Sequence, residues 1–127
     1  MAIPESQNPE ALLPLTTTVF HILLALADEE RHGYSIMKTV AAQTDGHIEM
    51  GPGTLYGSIK RMVAANLIVE SDERPDPEMD DSRRRYYRLT DLGTRVLALE
   101  AARLAKAVQL AQQRDLLPTP LPAPEVA

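Results

Sequence analysis

Apolar and polar positions alternate in two rhythms along this chain, and the rhythm predicts the elements. Behind Gly51, Pro52 and Gly53, the residues Leu55, Ile59 and Met62 recur at i, i+4 and i+7, which predicts a helix with one apolar face. Pro52 suits the first turn of that helix, where its missing N–H needs no partner, and Asn66 is its stop. An earlier helix opens behind Thr16 as N-cap and runs through VFHILLALADEE to about Asp28. Its apolar content goes most of the way round, with Val19, Ile22, Leu23 and Leu26 on one side and Phe20 and Leu24 on another. A helix of that kind is covered on more than one side, so it needs a second packing partner. Between the two, a helix follows the HGY at 32–34, turns Ile36, Val40 and Ala41 inward and ends before Gly46, which can close it in the left-handed conformation.

The second rhythm is that of strands. HIEM (47–50) alternates and predicts a short minor strand, and LIVESDE (67–73) and RRRYYRL (83–89) form a β-hairpin rich in β-branched and aromatic residues. Alternation puts Tyr87 and Leu89 on one face of the second strand and Tyr86 and Arg88 on the other. The connection RPDPEMDDS (74–82) reads as a long loop. Thr90 then caps a last helix to about Arg114, which carries two apolar stripes. Leu92, Val96 and Leu99 can close a core; Leu97, Ala101, Leu104, Val108 and Ala111 need another surface. The prolines of residues 1–14 and of the tail 115–127 predict disordered ends around a winged domain at 15–90 and a helix at 91–114.

Composition narrows the function. The chain has 127 residues and no cysteine, which excludes a disulfide framework and a thiolate metal site. The N-terminus lacks a basic n-region and no apolar run approaches bilayer length, so cytoplasmic residence is expected. His21, His32 and His47 are not spaced as metal ligands, and no acid/base or nucleophile set converges, so neither a metal, a cofactor nor an enzyme is expected. His21, within an apolar helix, reads as a packing histidine.

A net charge of −5 argues against nucleic acid until its distribution is considered. Acids crowd residues 70–81, whereas Arg83, Arg84, Arg85, Arg88, Arg95, Arg103, Lys106 and Arg114 dominate residues 82–114. A basic strip can coexist with an acidic total.

Helix, helix, short strand, helix and hairpin is the order of a winged helix-turn-helix, in which the third helix enters the major groove and the hairpin meets the flanking backbone. Residues 51–62 contain no carboxylate, as approach to phosphates requires. Thr54, Tyr56 and Ser58 offer hydroxyls, Gly57 allows close approach, and Lys60 and Arg61 can meet phosphate or guanine edges. The bland alternative is an amphipathic helix with a solvated face. Arg83, Arg84 and Arg85 are phosphate candidates, or neutralise Asp80 and Asp81 beside them. Tyr86 is either a strand-face aromatic or a hydroxyl donor to phosphate. Tyr34 and Lys38, about one turn apart, are weaker phosphate candidates.

FHILLAL (20–26), HGYSI (32–36), GPGTLYGSIKRM (51–62), NLI (66–68) and RRRYYRLTDLG (83–93) together resemble the PadR family of transcriptional regulators, over about residues 15–112. The resemblance implies a mainly α fold with a small β-hairpin, a winged helix-turn-helix that dimerises through its C-terminal helix packed with the first helix. Phe20, Leu24, Leu97, Ala101, Leu104, Val108 and Ala111 would form that interface. It further implies a homodimeric repressor whose partner is double-stranded DNA with a pseudo-palindromic operator; a small-molecule effector is left open. The rival reading is a winged-helix module for protein interaction, which would show acids or bulky apolar residues on the outer face of the third helix.

Overall fold

The computed structural model describes residues 8–76 and 79–122, of which 72–76 and 79–83 are described by their backbone alone. Its elements are α1 (Thr17–Ala25), β1 (Arg31–His32), α2 (Gly33–Gln43), α3 (Pro52–Ala64), β2 (Ile68–Asp76), β3 (Met79–Leu89) and α4 (Asp91–Gln113), preceded by a 3-10 turn at Pro9–Leu12. The strands form one antiparallel sheet in the order β1-β3-β2. Helices α1, α2 and α3 enclose Ile22, Leu23, Leu26, Ile36, Val40, Leu55, Ile59 and Met62. The sheet and the start of α4 close this core with Ile68, Tyr87, Leu92, Val96 and Leu97.

Local chemistry explains the boundaries. Thr16 Oγ1 accepts from the N–H of Val19, and Thr90 Oγ1 from that of Gly93, which satisfies one orphan donor at each helix start. Gly46 (φ +79°) ends α2, its N–H reaching Ala41 O at 2.8 Å, and Asn66 (φ +62°) ends α3, with Leu67 N–H donating to Met62 O at 2.9 Å. Helix α1 is shorter than its periodicity suggests. Arg31 Nε takes the carbonyl of Ala25 at 2.6 Å, and its guanidinium pairs with Asp28 and Glu29, so the chain turns away before Asp28.

Two strand expectations change. Residues 47–50 are irregular: Thr44 Oγ1 accepts from Ile48 N–H at 3.0 Å, while Ile48 and Met50 lean on the core. The third strand is instead Arg31–His32, paired with Tyr87 and Tyr86. The connection expected as a long loop over 74–82 is largely strand backbone, since β2 and β3 stay paired as far as Asp76 opposite Met79, with a register shift between Pro75 and Asp76. The register shifts between Glu70 and Asp72, a bulge of the kind that bends and twists a hairpin.

The ends are also more engaged than their prolines suggest. Asn8 caps the 3-10 turn, and Leu12, Leu13 and Leu15 pack against the core. Beyond α4, Gln112 Nε2 donates to Pro118 O at 3.2 Å. Residues 1–7 and 123–127, where disorder is expected, lie outside the described residues.

Helix α4 is seated by close backbone contact at its start as well as by its buried side chains. Thr90 N–H and Thr90 Oγ1 both donate to Leu67 O at 3.1 Å, and Thr90 Oγ1 also reaches Asn66 O at 2.6 Å. A Cβ at Gly93 would lie 2.0 Å from Leu67 O, so this approach requires glycine. The close contact turns the line Gly93, Leu97, Glu100 toward the core. Leu97 is 7% exposed and belongs to the core of a single chain, whereas Leu99, expected inside, is 37% exposed. This corrects the assignment of Leu97 to a free interface.

On that same line Glu100 is only 1% exposed, yet it is satisfied. Its Oε2 accepts from Leu15 N–H at 2.6 Å and its Oε1 from Arg103 Nε. The Arg103 hydrogen bond, assisted by the Leu15 amide and the Arg103 charge, outweighs desolvation and holds the carboxyl below its usual value. Past Glu100 the helix runs exposed, presenting Ala101 and Leu104, with Val108 and Ala111 half-buried. Phe20 is half-buried and Leu24 exposed on α1.

Candidate nucleic-acid interface

Helix α3 places its apolar residues and its cations on opposite sides. Leu55, Ile59 and Met62 are buried, while Thr54, Tyr56, Lys60 and Arg61 are exposed. Gly57 stands on the outer face, where a Cβ would meet Arg61 Nη1 at 3.6 Å, an ordinary contact. No acid occurs on this helix, so its solvent face carries only the positive charges of Lys60 and Arg61. Val63 is an exposed apolar residue on its flank.

Ser58 corrects the sequence reading. It is 3% exposed and accepts from Arg61 Nη2 at 3.3 Å, so it fixes a cation instead of meeting a ligand. Its position is roughly 60° round the helix from Leu55, inside the buried sector. Tyr56 lies on the other flank and leans over α2: its hydroxyl occupies the space a side chain at residue 33 would need, 2.5 Å from where a Cβ would stand. Gly33 is thus what lets α3 bring Tyr56 across the start of α2.

That start is built by His32, a capping residue that sequence reasoning missed. Its Nδ1 accepts from Ser35 N–H at 3.1 Å and caps α2, so the ring's proton is placed on Nε2. The His32 ring stacks on Tyr34 (6.5 Å, 8°) and meets Tyr86 edge-on (5.3 Å, 83°). Tyr86 is 7% exposed, which decides between its two readings: it is an internal aromatic, not an exposed phosphate donor. A histidine immediately before a Gly-Tyr helix start is the signal that could have revealed the cap.

The remaining candidates surround Tyr34, which is exposed. Lys38 Nζ lies 5.5 Å and Arg84 Cζ 6.0 Å from its ring centroid. Arg85 is exposed and lies near Glu70 (3.8 Å) on the neighbouring strand. The side chains of Arg83, Asp80 and Asp81 lie outside the described residues. Tyr87, on the inner face, has its phenol pushed up first by burial and then by the Glu70 carboxylate. At the far side of the domain His21 Nδ1 lies 3.2 Å from Gln43 Nε2, and burial pushes its imidazole down. It joins α1 to α2. Among the described residues no cluster of His, Cys, Asp or Glu could hold a metal, and no helix is long and apolar enough to cross a membrane.

Three helices, a β-hairpin against them and a long trailing helix define a winged helix-turn-helix protein with a carboxylate-free third helix. Residues 22–99 match the transcriptional regulator PadR-like family, and the chain belongs to that family, one of regulators and not of enzymes. Its fold resembles a PadR family transcription regulator from Clostridium difficile (TM-score 0.63, 24% identity, 77% of this chain and 97% of that one). It also resembles Bacillus subtilis PadR in complex with operator DNA (TM-score 0.55, 19% identity, 88% of this chain and 52% of that one). In sequence it is 36% identical over 85 residues to an uncharacterized 37.1 kDa protein in transposon TN4556 of Streptomyces fradiae. The match takes in 67% of this chain but 22% of that relative's length.

Proposed function

We propose that this regulator is a cytoplasmic homodimeric repressor that binds a pseudo-palindromic operator. Helix α3 enters the major groove with Thr54, Tyr56, Gly57, Lys60 and Arg61, and Arg85 with Lys38 and Arg84, the two cations that lie over the Tyr34 ring, hold the flanking backbone. The observation that carries this reading is the charge geometry of α3: cations on the exposed side, no acid anywhere along it, and the wing-base arginine Arg84 and Lys38 of the preceding helix both near the Tyr34 ring. The likeness in fold to a PadR bound to operator DNA supports the same docking.

Dimerisation rests on the exposed Leu24 and Leu104 with Phe20, Ala101, Val108 and Ala111. One small domain leaves these exposed or only half-buried, and a two-fold axis would bury each of them twice. Two recognition helices so related need half-sites about one helical turn, roughly 10 bp, apart or a multiple of it.

Titration of a labelled duplex from the chain's own promoter region, at a series of KCl concentrations, tests the reading. Neutralisation of about 6 phosphates predicts a slope of log K against log salt near −5. A slope near zero refutes it.

A further inference from the structure

Tyr34 is more than one of several polar residues near the wing. It receives a cation from its own helix, Lys38 Nζ at 5.5 Å, and another from the wing, Arg84 Cζ at 6.0 Å. Both distances fall within the range at which a ring quadrupole attracts a cation. The ring is also braced from inside the fold. His32 stacks on it, and His32 in turn contacts the buried Tyr86, two residues along β3 from Arg84. Three aromatic rings therefore link the first turn of α2 to the strand that carries the wing arginines. Two flexible cationic side chains from separate elements converge on one rigid surface, at a helix N-terminus whose dipole adds positive potential.

We infer that Tyr34 is a positioning residue: its ring holds Lys38 and Arg84 as a two-element phosphate clamp and sets the wing base against the helix-turn-helix. This inference rests on the DNA-binding reading above and adds a division of labour to it. The ring of Tyr34 does the work, and its hydroxyl is dispensable. Lys38 supplies a point charge. Arg84 has five N–H donors, so it can keep bonds within the protein and still present others to a phosphate. Holding both in place lowers the side-chain entropy lost when the backbone of DNA arrives.

Binding of a fluorescein-labelled duplex of random sequence, followed by anisotropy across KCl concentrations, tests the clamp on the full-length chain. Tyr34→Phe keeps the ring and should stay within about two-fold of the parent, with an unchanged salt slope. Tyr34→Leu should bind roughly ten-fold more weakly, the effect of releasing two cations, and should add nothing to the double variant Lys38→Ala with Arg84→Ala. Equal loss in Tyr34→Phe and Tyr34→Leu overturns the inference, because the hydroxyl would then be the contact. So does parental affinity in Tyr34→Leu.

Where circular dichroism shows that Tyr34→Leu does not fold, the Lys38→Ala and Arg84→Ala cycle decides. Clamped cations give a double variant at least about three-fold tighter than the product of the single losses, whereas independent cations simply multiply. A parent whose binding ignores salt removes the DNA-binding reading and the clamp together. A salt-sensitive parent with an unaffected Tyr34→Leu removes the clamp alone.

Discussion

Replacing Gly93 with alanine isolates the contact that seats α4 on the winged domain. In isolation the change favours a helix by about 1 kcal/mol. Here the new Cβ would stand 2.0 Å from Leu67 O and 2.9 Å from its carbonyl carbon, both backbone atoms that cannot rotate aside. Reaching a contact of 3.4 Å means opening the junction by about 1.4 Å, the difference between 3.4 and 2.0 Å. The hydrogen bonds from Thr90 N–H and Oγ1 to Leu67 O, each 3.1 Å, would then be out of reach. Losing two such bonds costs about 2 kcal/mol, and overpacking adds about 1–3 kcal/mol. After the propensity gain, Gly93→Ala should be less stable than the parent by about 2–4 kcal/mol.

Urea unfolding followed by far-UV circular dichroism measures this, at one fixed protomer concentration because a dimer's stability depends on it. The midpoint should fall by roughly 1–3 M for a typical dependence on urea. Gly57→Ala is the internal control: its Cβ meets Arg61 Nη1 at an ordinary 3.6 Å, so the same substitution should raise stability by up to about 1 kcal/mol while weakening DNA binding. A midpoint for Gly93→Ala at or above that of the parent would refute the account of how α4 is seated.

Leu104→Asp places a charge on the exposed apolar stripe of α4 and should dissociate the dimer; sedimentation at micromolar concentration checks it, and a persistent dimer would put the interface elsewhere. Gly33→Ala should displace the exposed Tyr56 ring, whose hydroxyl would lie 2.5 Å from the new Cβ. Because that ring can swing outward and the Leu55 methyl, at 3.2 Å, need give only a few tenths of an ångström, stability should change by less than about 1 kcal/mol while operator affinity falls roughly ten-fold, about 1.4 kcal/mol. Glu100 has a folded-state pKa held below its usual 4.5, so its contribution is complete above that value and disappears as pH falls through the lower, folded one. Urea midpoints measured between neutral and strongly acid pH should therefore drop for the parent in that acid range, and Glu100→Gln should show a lower neutral midpoint with a smaller acid drop.

Much of this protein is local, and local chemistry is legible in sequence. Thr16 and Thr90 as caps, Pro52 in a first turn, and Gly46 and Asn66 as left-handed stops depend on a few neighbouring atoms, and each stands where its residue type predicts. The apolar faces of α2 and α3 follow from periodicity because each helix has one dominant stripe. The carboxylate-free surface of α3 was legible for the same reason.

What tertiary contact decided lies where two local solutions are nearly equal. Helix α4 has apolar residues on both the Leu92–Val96–Leu99 and the Leu97 lines, and the close approach of Gly93 to Leu67 buries Leu97 and Glu100 together with Leu92 and Val96, leaving Leu99 outside. A buried carboxylate there could not be foreseen, since the amide that satisfies it comes from Leu15, distant in sequence. Ser58 and Tyr86 carry polar atoms but turn inward, because the helix-facing sector and the β1–β3 pairing enclose them. Strand β1 has only Arg31 and His32, too short for any periodicity, and exists because β3 offers it a partner. Periodicity identifies which side chains want burial; which of them obtain it depends on how closely neighbouring backbones can approach, and at the α4 junction that distance is set by the missing side chain of Gly93.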